Sequence, residues 1–122
     1  LSLVGSEMCI RDRAYYGLPV ITVIFNNRNL GMVRQWQSLI YDHRYSQTSL
    51  ENRSPDFVKF ADAFGLKGRR VTQPSELEEA ITEALAESAQ GRGYVIDCAI
   101  NADEMVHPMV NGGHHITEFL LS

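Results

Sequence analysis

The chain has 122 residues, a formal net charge of −4 and a hydrophobic content of 44%, values typical of one globular domain with its own core. The net negative charge does not indicate a binding surface for nucleic acid or for an anionic membrane. No apolar run approaches the roughly 18 residues of a membrane span, and no secretory signal pattern is recognisable. Two cysteines are too few for a disulfide framework, so we expect a reducing compartment.

The first half of the chain predicts a strand, a turn and a helix. Residues 19–25 (PVITVIF) are almost continuously apolar and β-branched, which is typical of a parallel strand covered on both faces. Gly17 before them ends any preceding helix. A polar turn follows, and residues 32–41 predict a helix. The apolar side chains predicted to share one side of that helix are Met32, Val33, Trp36, Leu39 and Ile40.

The second half predicts two helices that alternate with two strands. After a polar, irregular stretch at 41–53, a helix is expected to begin with Ser54 as N-cap and Pro55 at its first position, and to end at Gly65. Its apolar face would consist of Phe57, Phe60, Ala61 and Phe64. Short strands are predicted at 66–71 and 94–100. Between them a capping box, Ser75 with Glu78, would open a helix with the apolar residues Leu77, Ala80, Ile81, Ala84 and Leu85.

The order strand, helix, helix, strand, helix, strand predicts an α/β fold, an open parallel sheet with helices on both faces. Ligands in such folds bind outside the carboxyl ends of the strands. The turn NNRNLGM lies at such an end. Its asparagine oxygens suit Mg²⁺, although the same residue types are also common in ligand-free turns and helix caps.

Three stretches, PVITVIFNNRNLGMVRQWQSLIYDHRYSQT, PDFVKFADAFGLKGRRV and HPMVNGG, resemble the C-terminal, diphosphate-binding domain of the thiamine diphosphate enzymes. The resemblance is greatest to the catalytic subunits of acetolactate synthases and covers residues 14–122. It implies a thiamine diphosphate-dependent transferase that condenses pyruvate with a second 2-oxo acid in branched-chain amino acid biosynthesis.

The same resemblance implies a metal and cofactor site in the turn. The side-chain oxygen of Asn27 and the main-chain carbonyl of Asn29 would coordinate Mg²⁺, and Gly31 would permit close backbone approach to the cofactor. Met32 and Trp36, one helical turn apart, would face the substrate and inhibitor channel. The expected cofactor contacts are Asn27, Arg28, Asn29, Leu30, Gly31 and Met32.

The family also implies partners that lie outside this chain. FAD would bind through a domain absent here, and the parent protein would be at least a homodimer, joined by a regulatory small subunit in the cytoplasm. No residue of this chain is expected to be catalytic, because the activating carboxylate would come from a neighbouring subunit. Two alternatives stay open: a related carboligase acting on glyoxylate or sulfoacetaldehyde, and a non-catalytic α/β binding module.

The opening stretch LVGSEMCIRDR resembles the translation of a transposon-based sequencing adapter. The family's metal motif begins with Gly-Asp-Gly, whose aspartate is a further metal ligand and would fall just before Leu1. We therefore predict that residues 1–13 are adapter-derived and that 14–122 are a thiamine diphosphate-binding domain truncated at its N-terminus. Such a fragment should be inactive by itself. Local propensity predicts a helical stub over 7–16.

The remaining candidates favour structural roles. The four histidines, His43, His107, His114 and His115, lack metal-ligand spacing and are predicted at the surface. The pair Arg69-Arg70 and the acidic run 76–87 are predicted to be solvated. Cys98, inside an apolar strand, is predicted to be buried and inert.

Overall fold

The computed structural model of the chain describes residues 12, 14–110 and 112–120. None of the helices in this described part is long and apolar enough to cross a membrane. The helices are α1 (Gly31–Leu39), α2 (Phe57–Ala63) and α3 (Leu77–Ala89), and a 3-10 turn spans Pro74–Glu76. The strands are β1 (Ile21–Asn26), β2 (Lys67–Val71), β3 (Tyr94–Ala99), β4 (Met109–Val110) and β5 (Phe119–Leu120).

Two compact units make up the described chain. The first contains the described residues through Asn26 together with Arg53–Ile100, and the second contains Asn27–Asn52 together with the described residues from Asn101 onward. In the first unit, residues 14–16 are helical and Gly17 follows them with a φ of 62°, which agrees with the predicted helix end. The predicted start of that helix, at residue 7, lies outside the described residues.

The first unit is built on a three-stranded parallel sheet of order β1-β3-β2. Cys98 in β3 pairs with Phe25 on one side and with Val71 on the other, which fixes the register. The predicted parallel α/β sheet is therefore confirmed. Cys98 is buried, as predicted, and burial together with the neighbouring Asp97 carboxylate raises the pKa of its thiol.

Helices cover both faces of β3. Ala80 and Ala84 of α3 pack with Ile96 in the core cluster, whereas a side chain on Gly68 would meet both Val95 of β3 and Ala61 of α2. Because Val95 and Ile96 are consecutive in a strand, they point to opposite faces. The two helices therefore lie on opposite sides of the sheet, as predicted.

Both predicted helix starts are displaced. Asp56, not Ser54, is the N-cap of α2, because its carboxylate accepts the Lys59 N–H at 3.1 Å. The carboxylate of Glu76 accepts the N–H groups of Thr72 and Gln73 at 2.8 and 3.0 Å. That bonding closes a 3-10 turn before α3, so the predicted Ser75–Glu78 capping box is wrong. The hydrogen bonds to backbone N–H groups lower the pKa of the Glu76 carboxyl.

The predicted full burial of β1 is also wrong. Val23 is 46% and Phe25 74% exposed, so the face of β1 that carries them is open. The apolar side of α3 is likewise covered only in part: Ala80 and Ala84 are buried, while the larger apolar residues are exposed. Those exposed residues are Leu77, Ile81 and Leu85.

The acidic run on α3 is an ion-pair surface and not simply a solvated face. Arg69 of β2 binds Glu79 and Glu83 at 2.8 and 2.9 Å. Glu83 also accepts the Tyr94 hydroxyl at 2.7 Å, and burial together with this carboxylate raises the pKa of Tyr94. Arg69 is 10 residues from Glu79 and 14 from Glu83 in the sequence, so these pairs become visible only when β2 and α3 are placed side by side.

Candidate metal and cofactor site

The turn after β1 belongs to the second unit and is held by a neighbouring loop. The Leu30 N–H donates to the Thr48 carbonyl at 2.9 Å, and the Leu50 N–H donates to the Arg28 carbonyl at 2.8 Å. Thr48 is 2% exposed. The stretch predicted as irregular, 41–53, therefore contributes an antiparallel partner to the turn, with a single bridge between Asn29 and Ser49.

Two asparagines fold the turn onto itself. The Asn29 N–H donates to the Asn27 side-chain oxygen at 3.0 Å, and the Asn29 side-chain amide donates to the Asn27 carbonyl at 2.7 Å. Arg28 between them adopts a left-handed conformation with a φ of 54°, which a non-glycine residue adopts rarely and mostly in such turns. In this turn the side chain of each asparagine is hydrogen-bonded to the backbone of the other across Arg28.

The side-chain oxygen of Asn29 is buried and has no hydrogen-bond partner in the described part of the chain. Its amide nitrogen is committed to the Asn27 carbonyl, so rotation of the amide by half a turn would break that bond. A buried polar atom without a partner is unfavourable by about 1–3 kcal/mol. This oxygen and the Asn27 side-chain oxygen, which keeps a second lone pair, are neutral hard donors of the kind that Mg²⁺ accepts.

Gly31 opens α1 directly against this amide pair. A Cβ atom at Gly31 would lie 2.8 Å from the amide nitrogen of Asn27, well inside van der Waals contact. The glycine was predicted to permit close approach of the backbone. The close approach seen within the described residues is to the Asn27 side chain, whose position Gly31 therefore helps to set.

Asn26 stands apart from this set, although it is the first asparagine of the sequence motif. It is the last residue of β1, is 9% exposed, and donates to the Asp97 carboxylate in β3 at 2.9 Å. Asp97 is 1% exposed, and its other oxygen lies 3.8 Å from Arg70. Asn26 therefore links two strands of the first unit. A lone aspartate in the apolar run YVIDCA was the available sequence signal for this pair.

The helix α1 presents the predicted channel residues on an exposed face. Met32 is 53% exposed and Trp36 is partly exposed, and both lie on α1 as predicted. A shallow groove of about 540 Å³ runs along this part of the second unit. Its lining residues are Val33, Trp36, Gln37, Tyr41 and Arg44.

The four histidines are all exposed. His114 contacts the Glu118 carboxylate at 2.9 Å, and His115 contacts the Thr117 hydroxyl at 2.8 Å. Within residues 12, 14–110 and 112–120, no group of three or more His, Cys, Asp or Glu side chains is arranged to hold a metal ion. The asparagine turn is the candidate metal site that the described chain offers.

Comparison with known protein families identifies the family of this chain. The family described as thiamine pyrophosphate enzyme, C-terminal TPP binding domain, matches residues 7–98. The chain belongs to this family, and the resemblance read from the sequence is confirmed. Since the match covers the turn, β1, β2 and β3 as far as Cys98, thiamine diphosphate is the cofactor of the domain family to which these elements belong.

Several similar proteins are acetolactate synthases. The chain is 42% identical over 107 residues to the acetolactate synthase isozyme 3 large subunit of Escherichia coli (strain K12), which covers 88% of this chain and 18% of that protein. It is 47% identical over 103 residues to an acetolactate synthase of Mycobacterium bovis, covering 82% and 16%. The mitochondrial catalytic subunit of Saccharomyces cerevisiae is 44% identical over 104 residues, covering 85% and 14%. The chain thus spans less than a fifth of these relatives.

A solved structure supports the fold. The thiamine diphosphate-dependent 4-hydroxybenzoylformate decarboxylase of Rhodococcus jostii RHA1 superposes with a TM-score of 0.66 at 23% identity, over 78% of this chain and 17% of that chain. At this identity the likeness concerns the fold only. It agrees with a parallel sheet flanked by helices.

Proposed function

We propose that the chain is the C-terminal part of the catalytic subunit of an acetolactate synthase, a transferase that condenses pyruvate with a second 2-oxo acid. The observation that carries the proposal is identity of 42–47% to three such subunits over 82–88% of this chain. The relatives' names favour this activity over the glyoxylate and sulfoacetaldehyde carboligases. Membership of a cofactor-binding family likewise argues against a cofactor-free binding module.

The turn would serve as the metal and diphosphate cradle. Asn27, through its side-chain oxygen, and Asn29, through its main-chain carbonyl, would hold Mg²⁺. The buried, unpartnered side-chain oxygen of Asn29 supports a cationic occupant beside it. Arg28, Leu30, Gly31 and Met32 would line the diphosphate. When bound, thiamine diphosphate supplies the carbon–carbon bond chemistry, and this chain contributes binding, orientation and charge.

The exposed face of α1 would line the substrate channel. Met32 and Trp36 present apolar surface there, and Arg44 is among the residues that line the groove beside Trp36. An apolar wall with one fixed cation is suited to a small 2-oxo acid, since the carboxylate pairs with the cation while the alkyl group contacts the wall. Trp36 would therefore affect which acceptor or inhibitor fits.

The remaining parts of the enzyme would lie outside this chain. Mg²⁺ would bind with a further aspartate from upstream, FAD would occupy a different domain, and the carboxylate that activates the cofactor would come from a neighbouring subunit. We further propose a homodimer or larger assembly, a regulatory small subunit and a cytoplasmic location. The isolated 122-residue chain would then be inactive.

A chimera tests this function. Residues 14–122 replace the matching segment of the Escherichia coli isozyme 3 large subunit, so that the host supplies the rest of the polypeptide. We expect the chimera to form acetolactate from pyruvate. A folded chimera that forms none, while the host enzyme prepared in parallel does, would contradict the proposal.

A further inference from the structure

The helix α1 is held within its unit by its polar side. Its two buried residues are Gln35 and Ser38, which are 3% and 9% exposed. The apolar side chains predicted to share one side of this helix are exposed, including Met32 and Val33 at 53% and 48%. An ordinary surface helix buries the apolar side. This helix therefore depends on specific polar contacts for its position.

Gln35 makes the central contact. Its amide nitrogen donates to the Val106 carbonyl at 3.0 Å, and its amide oxygen accepts the Val106 N–H at 3.0 Å. The same nitrogen lies 3.2 Å from the sulfur of Met109. Two antiparallel hydrogen bonds to the backbone of one residue restrain both the rotation of the helix about its axis and its shift along that axis.

Arg34 adds a second contact to the same segment. Its guanidinium donates through two nitrogens to one carboxylate oxygen of Asp103, at 2.9 and 2.7 Å. The guanidinium also lies over the ring of Tyr45, 3.9 Å from its centre. The Tyr45 hydroxyl is in turn 3.0 Å from the Ser38 hydroxyl. The helix is thus attached to two loops, one that contains Asp103 and Val106 and one that contains Tyr45.

We propose that Gln35, assisted by Arg34, is a positioning residue that sets where Trp36 and Met32 stand, and so which 2-oxo acid acceptor the channel admits. We call the contacts of Gln35 with Val106 and of Arg34 with Asp103 the polar clamp. The acceptor role rests on the proposed function, whereas the effect on Trp36 does not. Trp36 follows Gln35 directly, so any rotation of α1 that loss of the clamp permits moves the indole.

The first test uses fluorescence of the 122-residue chain, in which Trp36 is the sole tryptophan. Gln35→Met keeps the side-chain length and removes both hydrogen bonds. We expect a shifted emission maximum and altered quenching by acrylamide. Gln90→Met, at the exposed end of α3, is the matched control and should leave both unchanged.

A second variant distinguishes loss of the polar clamp from general unfolding of the chain. Asp103 has a side chain that is 58% exposed, so Asp103→Ala removes the partner of Arg34 without opening a buried cavity. We expect a smaller fluorescence change in the same direction as that of Gln35→Met. Unchanged Trp36 emission and quenching in both variants, with circular dichroism showing folded protein, would overturn the proposal.

The acceptor role is tested in the chimera with two 2-oxo acids of different side-chain length competing in one reaction. The ratio of the two products does not depend on how much enzyme is folded, so a merely structural residue would lower the total and preserve the ratio. We expect Gln35→Met to change the ratio and Gln90→Met to preserve it. An unchanged ratio would overturn the acceptor role. A native chimera without activity would instead contradict the proposed function, while the fluorescence result still decides the positioning of Trp36.

Discussion

The side-chain amide of Asn26 donates a hydrogen bond of 2.9 Å to the carboxylate of Asp97, and both residues are buried between neighbouring parallel strands. This polar link fixes the end of β1 against β3, next in the chain to the candidate metal turn. Replacing Asp97 by alanine removes a buried acceptor and leaves a small cavity. We expect a loss of about 2–4 kcal/mol in the free energy of unfolding.

Urea unfolding of the 122-residue chain measures this loss. Asp62→Ala, at an exposed position of α2, is the control and should change the free energy of unfolding by less than about 0.5 kcal/mol. Equal effects of the two substitutions would show that the Asn26–Asp97 contact does not stabilise the sheet.

Gly31→Ala separates the site from the fold. The added methyl group would lie 2.8 Å from the Asn27 amide nitrogen, and a side-chain end can move aside at little cost. Alanine also favours a helix over glycine by about 0.5–1 kcal/mol. We therefore expect nearly unchanged stability of the 122-residue chain. In the chimera we expect a higher Mg²⁺ concentration for half-activation, because the displaced amide carries the proposed ligand oxygen. Unchanged Mg²⁺ dependence would argue against a role for Asn27 in metal binding.

The ion pairs of Glu87 lead us to predict that the stability of the chain depends on pH. Hydrogen bonds from Arg92 and Lys67 lower the pKa of Glu87 from 4.5 to about 2. A carboxyl whose pKa falls on folding stabilises the native state above its unfolded pKa, and this contribution is lost as the pH falls toward the folded value. The stability difference between the native chain and Glu87→Gln should therefore be full above about pH 5 and shrink between pH 4.5 and 2.

Denaturant midpoints measured across that pH range check the prediction. Glu78→Gln, at an exposed position of the same helix, is the control for the same change of charge without loss of the Arg92 and Lys67 contacts. A constant difference between the native chain and Glu87→Gln down to pH 2 would contradict the assigned ion pairs.

The isolated chain should bind thiamine diphosphate and Mg²⁺ negligibly, because its turn supplies neutral oxygens and the proposed carboxylate ligand lies upstream. Calorimetric titration measures this directly. Micromolar affinity, which corresponds to roughly −8 kcal/mol, would mean that the turn alone suffices and that the assumed upstream ligand is unnecessary.

Sequence patterns were sufficient to predict the strands of the sheet, but not which contacts each face of a helix or strand makes. The β-branched runs and the glycine breaks placed β1, α1, β2 and β3 within two residues of their observed bounds. Periodicity could not show that α1 is held by Gln35 rather than by Trp36 and its apolar neighbours, because a pattern identifies a face and not what covers it. The predicted helix starts were wrong for a related reason. Ser54 and Ser75 are preferred capping residue types, but the carboxylates of Asp56 and Glu76 accept the hydrogen bonds from the free backbone N–H groups.

The candidate site was only partly readable from the sequence. The motif NNRN marks a turn after a strand, but it does not reveal that Asn26 points to Asp97 while Asn27 and Asn29 bind each other. That division follows from the end of β1, where consecutive side chains point to opposite faces, and from the left-handed conformation of Arg28. The hydrogen bonds of Thr48 and Leu50 with the turn could not be predicted, because they come from a loop whose sequence has no periodic pattern.

The Mg²⁺ concentration that half-activates the chimera tests the central claim, that the asparagine turn holds the metal and the exposed face of α1 lines the channel. Removal of the Asn27 oxygen by Asn27→Ala should raise this concentration at least as much as the roughly 10- to 100-fold loss caused by removing an outer partner of a metal site. Trp36→Leu should leave it near the native value and change inhibitor sensitivity instead. An Asn27→Ala chimera with native Mg²⁺ dependence, or a Trp36→Leu chimera that loses Mg²⁺ affinity equally, would contradict the account.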